Sequence, residues 1–186
     1  TLLADGKVVA RASGRMEYGP RALGNRTVMA DCSDPSINKW LNDKFQRTEF
    51  MPFAPVTLEE LAADYYPDWK PEHIAARFMT ITYDVSERGK RDIPAAVHVD
   101  NTARPQVIRR EDNPEYYDIL AAYHQKTGMA GLINTSFNMH EEPIVCTAHD
   151  AIRAWQQAGL DALILGPFLI LNTDNAATKA NTESHT

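Results

Sequence analysis

Hydrophobic residues in this chain fall into two patterns that follow one another along the sequence. Short apolar runs and apolar–polar alternation predict strands, whereas apolar residues spaced by three or four predict helices. The predicted strands and extended segments are residues 7–12, 26–30, 52–58, 77–85, 95–99, 105–109, 131–134, 162–165 and 168–171. The predicted helices are residues 35–46, 59–66, 115–127 and the stretch between Thr147 and Gly159. Because strands and helices alternate, we expect an α/β or α+β fold, with one domain over residues 1–171.

Polar residues mark the ends of these elements. Asp34 followed by Pro35 is typical of a helix start, and so is Thr147 with Asp150 three residues later. Gly128 is typical of a helix end. Three polar segments are predicted to lie outside regular elements: connections at residues 86–92 and 100–104, and a disordered tail at residues 172–186.

The segment GRMEYGPRALGNR, residues 14–26, separates the first two predicted strands. Its glycines and its proline disfavour a helix, and it has few β-branched residues. It carries three arginines: Arg15, Arg21 and Arg26. Guanidinium groups are planar, permanently charged and suited to two-pronged contact with phosphate or carboxylate. The segment therefore predicts a polyanion site, and a turn whose arginines pair with Glu17 and Asp31 remains the alternative.

Three other segments carry candidate ligand contacts. Lys44 lies near the carboxyl end of the first predicted helix, where a cation also suits the helix dipole, and Arg47 comes directly after that helix. The sequence NTSFN, residues 134–138, follows a buried strand, at a position where α/β proteins often bind ligands. Its small polar side chains would equally suit a turn that bonds its own backbone. Arg104, in the polar segment DNTAR, is either a phosphate contact or a surface residue.

Composition narrows the function classes. The net charge is −6, although residues 1–50 alone carry a formal charge of +2. An acidic chain with a locally basic start fits a small-anion site better than a long nucleic-acid groove. We expect no secretory signal, and the sequence contains no apolar run of about 20 residues. Its two cysteines, Cys32 and Cys146, form no C-x-x-C pair, so a reducing cytoplasm is expected.

Several catalytic motifs are absent from the sequence. It contains neither the G-x-S-x-G elbow of hydrolases nor the G-x-x-x-x-G-K-[ST] phosphate loop. Its histidines lack metal-ligand spacing, so no metal site is expected within this chain.

Six ordered segments together resemble one family, the carbamoyltransferases that modify nodulation factors and antibiotics on oxygen. The similarity is to their C-terminal domain and runs from about Val8 to Leu171. The segments are GRMEYGPRALGNR, the helix that follows DCSDP, FMPFAPVTLEE, HVDNTARPQVI, LINTSFNMHEEPIV and GLDALILG.

The resemblance implies a YrdC-like fold, which is a twisted, mixed, open sheet with flanking helices. It also implies that this domain uses ATP, Mg²⁺ and carbamoyl phosphate to make a carbamoyl-adenylate. In the family an N-terminal domain of the actin/hexokinase-like ATPase type passes the carbamoyl group to an acceptor hydroxyl and holds iron. This chain, which lacks that domain and does not begin with Met, is expected to be a fragment.

Family residues map onto this chain as follows. Lys44 and Arg47 match a Lys/Arg pair that holds the nucleotide. Ser136 and Asn138 match a Ser-x-Asn motif, in which the serine bonds the ligand and is not a nucleophile. The family's phosphate contacts match Arg15, Arg21 and Arg104, and the remaining cofactor-binding residues are Arg26 and Asn134.

A second class of function stays open at this point. A non-catalytic module of YrdC-like fold could bind a nucleotide or RNA in a basic concavity. The net charge of −6 disfavours RNA, whereas the basic first fifty residues keep that interpretation available. Small-molecule substrates are the expected partners, with no membrane contact.

Overall fold

The computed structural model describes residues 1–46 and 53–173. Its main sheet has seven strands in the spatial order β6-β3-β7-β2-β1-β8-β9. These are β1 Val9–Ala12, β2 Arg26–Asp31, β3 Ala54–Leu58, β6 Gln106–Ile108, β7 Gly131–Ser136, β8 Ala162–Leu165 and β9 Phe168–Leu171. Neighbours run antiparallel except for the parallel pairs β1–β8 and β3–β6. The predicted mixed sheet is confirmed.

Five α-helices flank the sheet within the described residues. They are α1 Ser36–Lys44, α2 Glu59–Tyr65, α3 Glu87–Asp92, α4 Pro114–Thr127 and α5 Ala148–Ala158. A separate two-stranded sheet pairs β4, Tyr83–Asp84, with β5, Thr102–Ala103. Short 3₁₀ helices span Leu2–Asp5, Ile74–Phe78 and Pro94–Ala96.

The two faces of the main sheet bury different sets of residues because side chains alternate along each strand. On one face, Val9 and Met29 pack with Tyr116 and Leu120 of α4. The opposite face packs against α1, α2 and α5, and Trp155 of α5 lies in that cluster. Helix α4 therefore covers the face of the sheet that buries Val9 and Met29.

The predicted start of α5 is confirmed, whereas α1 begins one residue later than predicted, at Ser36, with Pro35 as its N-cap and no side-chain cap. The Asp34 carboxylate accepts a hydrogen bond from the Ser36 N–H at 2.8 Å. Thr147 and Asp150 form a reciprocal capping box at the start of α5. Gly128 ends α4 with a left-handed φ of 77°.

Three predictions between residues 77 and 99 were wrong. The expected strand 77–85 is reduced to Tyr83–Asp84, because a 3₁₀ helix ends at Phe78 and Met79 has a left-handed φ of 54°. The expected connection 86–92 contains α3, which begins where the Ser86 hydroxyl accepts a hydrogen bond from the Gly89 N–H. The expected strand 95–99 is instead a 3₁₀ turn started by Pro94.

The expected connection 100–104 also contains β5, Thr102–Ala103. The predicted disordered tail lies outside the described residues from residue 174 onward.

The ends of five strands meet at one margin of the sheet, which we call the loop edge. Strand register places Ala12 opposite Arg26 and Thr27 opposite Ser136. Register also places Ala54 opposite Asn134. The carboxyl ends of β1 and β7 thus lie beside the amino ends of β2, β3 and β6, and the segment that links β1 to β2 crosses this edge.

No helix in residues 1–46 or 53–173 combines the length and the apolar character needed to span a membrane.

Candidate functional site at the loop edge

The segment between β1 and β2, residues 13–25, is the arginine loop, and buried side chains of the sheet hold its main chain. Three consecutive carbonyls, those of Ala22, Leu23 and Gly24, each accept a hydrogen bond from a different strand. The donors are Asn134 Nδ2 of β7 at 2.9 Å, Gln106 Nε2 of β6 at 3.1 Å, and Arg11 Nη1 of β1. We call these three donors the carbonyl clamp.

The clamp residues are linked to one another and are almost fully buried. Asn134 Nδ2 also donates to Gln106 Oε1 at 2.7 Å, and Thr27 Oγ1 donates to Asn134 Oδ1. Arg11, Gln106 and Asn134 are 2%, 3% and 2% exposed. A buried polar group without a partner is costly, so these groups fix the loop in one arrangement.

Arg11 is a charged residue inside the sheet. Burial lowers the pKa of its guanidinium, and the nearby Glu115 carboxylate opposes that shift. Its Nη2 donates to Glu115 Oε2 at the start of α4. Arg11 therefore ties the loop to both the sheet and α4.

Gly24 allows the loop to lie against α4. Its φ is +118°, and a Cβ atom there would lie 2.3 Å from Cδ1 of Tyr116. Next to it, Glu17 Oε1 accepts hydrogen bonds from the N–H groups of Asn25 and Arg26 at 2.7 and 2.8 Å. A glycine is required here because any side chain would occupy the space of the Tyr116 ring.

Arg26, predicted to bind the cofactor, is instead directed into the protein. It is 8% exposed, and its guanidinium donates to the main-chain carbonyls of Ser13, Gly14, Asn25 and Cys146. Asn134, also predicted to bind the cofactor, is committed to the clamp. Both residues therefore shape the site: all polar side-chain atoms of Asn134 are bonded within the protein, and both terminal nitrogens of Arg26 bond main-chain carbonyls.

Arg15, Arg21 and Arg104 are the predicted phosphate contacts. Within the described residues, Arg15 and Arg21 are exposed and form no ion pair or hydrogen bond. Arg104 is partly buried, and its Nη1 donates to the Met79 carbonyl at 2.8 Å. Burial lowers the pKa of Arg104, and the positive charge of Arg21 lowers it further.

Ser136 and Asn138 lie at the same edge, directly after the clamp residue Asn134. Ser136 Oγ donates to Asn138 Oδ1 at 2.7 Å, and Asn138 Nδ2 donates to the carbonyls of Met139 and Glu142. The amide of Asn138 is therefore used locally. The Ser136 hydroxyl, which is half-buried, keeps its lone pairs available to a donor.

The structure does not bring Lys44 to the loop edge. Its ammonium group lies 5.2 Å from the centre of the Trp40 ring. It lines a cavity of about 510 Å³ that also contacts Val8 and Asp31. Those residues mark the opposite ends of β1 and β2, so Lys44 does not lie with Arg21 in this structure. Arg47, its predicted partner, lies outside the described residues.

Sequence reasoning missed Arg11 and Gln106. A signal for Arg11 was present, because a lone arginine interrupts the apolar run of a predicted buried strand. Burial of an arginine in a sheet requires partners, which marks such a residue for inspection. Gln106 gave no comparable signal, since its partner Leu23 is remote in sequence.

No group of three or more metal-ligating side chains occurs within residues 1–46 and 53–173.

The fold and this edge define an α/β protein that presents guanidinium groups without carboxylate partners at one margin of a mixed sheet. The chain belongs to the carbamoyltransferase family, because the family description "Carbamoyltransferase C-terminus" matches residues 1–172. The family predicted from the sequence is confirmed.

Curated relatives agree with this membership. Nodulation protein NolO of Bradyrhizobium diazoefficiens is 39% identical over 171 residues, which cover 90% of this chain and 31% of the relative. Nodulation protein U of Rhizobium tropici is 38% identical over 140 residues, which cover 75% of this chain and 24% of the relative. An uncharacterized protein of Methanocaldococcus jannaschii is 42% identical, covering 91% and 32%. The chain spans about a third or less of the length of these relatives.

Solved structures confirm the YrdC-like fold. Full-length HypF in its phosphate- and nucleotide-bound form superposes with a TM-score of 0.61 at 17% identity, covering 89% of this chain and 24% of HypF. Sua5 of P. abyssi complexed with L-threonine superposes with a TM-score of 0.60 at 16% identity, covering 89% of this chain and 44% of Sua5. At these identities the similarity establishes the fold alone.

Proposed function

We propose that this domain binds ATP and carbamoyl phosphate at the loop edge and forms carbamoyl-adenylate. The carbamoyl group would then pass to an acceptor hydroxyl in another part of a longer protein. One observation carries the proposal: the hydrogen bond from Gln106 Nε2 to the Leu23 carbonyl holds the loop that carries Arg21 against the strand that follows Arg104. Within the described residues, neither Arg21 nor Arg104 has a carboxylate partner.

The charge arrangement suits the chemistry of adenylation. Water first converts carbamoyl phosphate to carbamate and inorganic phosphate. A carbamate oxygen then bonds to the α-phosphorus of ATP as the bond to pyrophosphate breaks. The reaction needs charge neutralisation and alignment more than acid–base catalysis. Guanidinium groups beside the arginine loop supply the charge neutralisation. The carbonyl clamp, which holds that loop in one arrangement, supplies the alignment.

The remaining predicted residues take narrower roles in this proposal. Ser136 can accept a hydrogen bond from the ribose or the carbamoyl amine, since its own proton is directed to Asn138. Mg²⁺ would arrive with ATP as part of the substrate. The donors described at this edge are mainly cationic, whereas Mg²⁺ prefers carboxylates and phosphates.

The comparisons support the proposal at a coarser level. The family membership supports carbamoyl transfer. Full-length HypF, of which the matched region is 24%, was solved in a phosphate- and nucleotide-bound form, which is consistent with a nucleotide as the ligand proposed here.

The test is ATP–pyrophosphate exchange catalysed by the chain in the presence of carbamoyl phosphate. We expect exchange that requires carbamoyl phosphate, and a loss of about 100-fold in Arg104→Met, the size typical for removal of one charge-stabilising group. Arg110→Met is the matched control, because Arg110 is exposed and pairs with Asp118 at 2.6 Å.

Two results would contradict the proposal. One is ATP binding that is equally strong in wild type and in Arg104→Met. The other is RNA binding that falls steeply with salt and is not displaced by ATP, which would instead favour the non-catalytic module.

A further inference from the structure

We infer that the peptide N–H groups of Leu23 and Gly24 form an anion-binding pair that contacts phosphate oxygens beside Arg21. The inference rests on the proposed function and adds main-chain donors to a site so far described by side chains.

The direction of these N–H groups follows from the carbonyl clamp. In a trans peptide unit the N–H points away from the carbonyl of the preceding residue, and the described residues contain no cis peptide bond. The carbonyls of Ala22 and Leu23 are directed to the sheet, where Asn134 and Gln106 bind them. The N–H groups of Leu23 and Gly24 must therefore point to the opposite side of the loop.

The chain already places an anion on that side. The next N–H along, that of Asn25, belongs to the peptide whose carbonyl is bound by Arg11. It donates to Glu17 Oε1 at 2.7 Å, as does the N–H of Arg26 at 2.8 Å. The outward side of this loop thus binds carboxylate oxygen wherever one is within reach.

Leu23 and Gly24 lack such an acceptor. Within the part of the chain that the structure describes, neither N–H forms a hydrogen bond. Gly24 is buried and Leu23 is half-buried, and main-chain donors in such places are nearly always paired. Oxygen atoms of a bound anion would accept hydrogen bonds from both N–H groups.

The ligand chemistry is that of a phosphate chain. Successive main-chain N–H groups directed to one side of a turn form an anion-binding concavity. Arg21 lies two residues before Leu23 in sequence, and its positive charge contributes to the lowered pKa of Arg104. A polyphosphate can contact both kinds of donor at once, because its negative oxygens are spread along its length.

Amide NMR during titration with inorganic pyrophosphate tests the inference on the unmodified chain. We expect the Leu23 and Gly24 amide protons to shift downfield and to saturate at the concentration where calorimetry shows binding. The amides of Gly14 and Gly19, which lie in the same loop outside the clamp, are the internal controls and should shift less.

The outcomes separate this inference from the proposed function. If pyrophosphate and ATP bind while both amides keep their positions, the inference is overturned and the proposed function stands. If neither compound binds, both fail.

A clamp variant gives the second arm. Gln106→Met removes the donor to the Leu23 carbonyl and should weaken pyrophosphate binding by about tenfold, the effect of one hydrogen bond. Gln125→Met, an exposed glutamine of α4, should bind as the wild type does. Wild-type affinity and wild-type amide shifts in folded Gln106→Met would contradict the orienting role of the clamp.

Discussion

Replacing Gly24 with alanine should destabilise the protein through two separable effects. The first is backbone strain, since φ at Gly24 is +118°, a conformation that costs other residues about 1–3 kcal/mol. The second is overlap: the added Cβ would lie 2.3 Å from Cδ1 and 2.6 Å from Cγ of Tyr116.

The overlap cannot be relieved cheaply. Tyr116 is fully buried against the sheet, so either its ring or the loop must move. Overpacking of this kind typically costs about 1–3 kcal/mol, which brings the expected loss to about 2–6 kcal/mol. That is a large part of the about 5–15 kcal/mol that stabilises a typical domain.

Gly19→Ala is the matched control because Gly19 has a similar φ of +102°, but no atom lies within 4 Å of a Cβ added there. Urea unfolding followed by circular dichroism should show a larger drop in midpoint for Gly24→Ala than for Gly19→Ala, by about 1–3 kcal/mol in unfolding free energy. Equal losses in the two variants would refute the argument that contact with Tyr116 fixes the loop.

Two other predictions concern buried polar groups. Arg11→Met should lower the unfolding free energy by about 1–3 kcal/mol, because the Gly24 carbonyl and the Glu115 carboxylate lose a partner. Arg110→Met should lower the unfolding free energy by less than about 1 kcal/mol, because Arg110 forms only an exposed ion pair. Equal thermal midpoints for Arg11→Met and Arg110→Met would count against the clamp. Burial, together with a hydrogen bond to Asp92, raises the pKa of Tyr65 to about 12. Above pH 10 the phenol ionises in the unfolded chain but stays neutral in the folded protein. The contribution of Tyr65 to the free energy of unfolding should therefore fall between about pH 10 and 12. Unfolding curves of wild type and Tyr65→Phe should converge over that range, and a constant difference would contradict the assignment.

Local signals in the sequence were sufficient for most helices and central strands. Thr147 and Asp150 predicted the start of α5, because a capping box depends only on two residues three positions apart in sequence. The errors between residues 77 and 99 have a different origin. Met79 takes a left-handed φ of 54°, and the Ala95 N–H donates to the Cys32 carbonyl at 3.0 Å. Both depend on tertiary contacts that apolar periodicity does not encode.

The sequence predicted which segments form the candidate site, but not which role each residue has within it. Residue chemistry drew attention to the arginine loop and to residues 134–138, which the sheet does bring to one edge. It did not reveal that Asn134 faces the loop carbonyls while Ser136 remains available, since that depends on the pairing of β7 with β2 and β3. Lys44 was grouped with this edge from a family motif, but the path of α1 carries its ammonium to the other end of the sheet.

The pairing of the arginines across the molecule bears on what the loop edge is for. Most described arginines away from this edge form an ion pair with a carboxylate, namely Arg77, Arg88, Arg109, Arg110 and Arg153; the exposed Arg91 of α3 is an exception. The sequence has 25 acidic residues against 19 lysines and arginines, so carboxylates are in excess. Arg15 and Arg21 have none among the described residues, and the nearest acid in sequence, Glu17, is bound to main-chain N–H groups. In an acidic protein, cations that keep no internal partner beside a rigid loop are best accounted for by an anion that binds from outside, which supports a phosphate-bearing substrate at this edge.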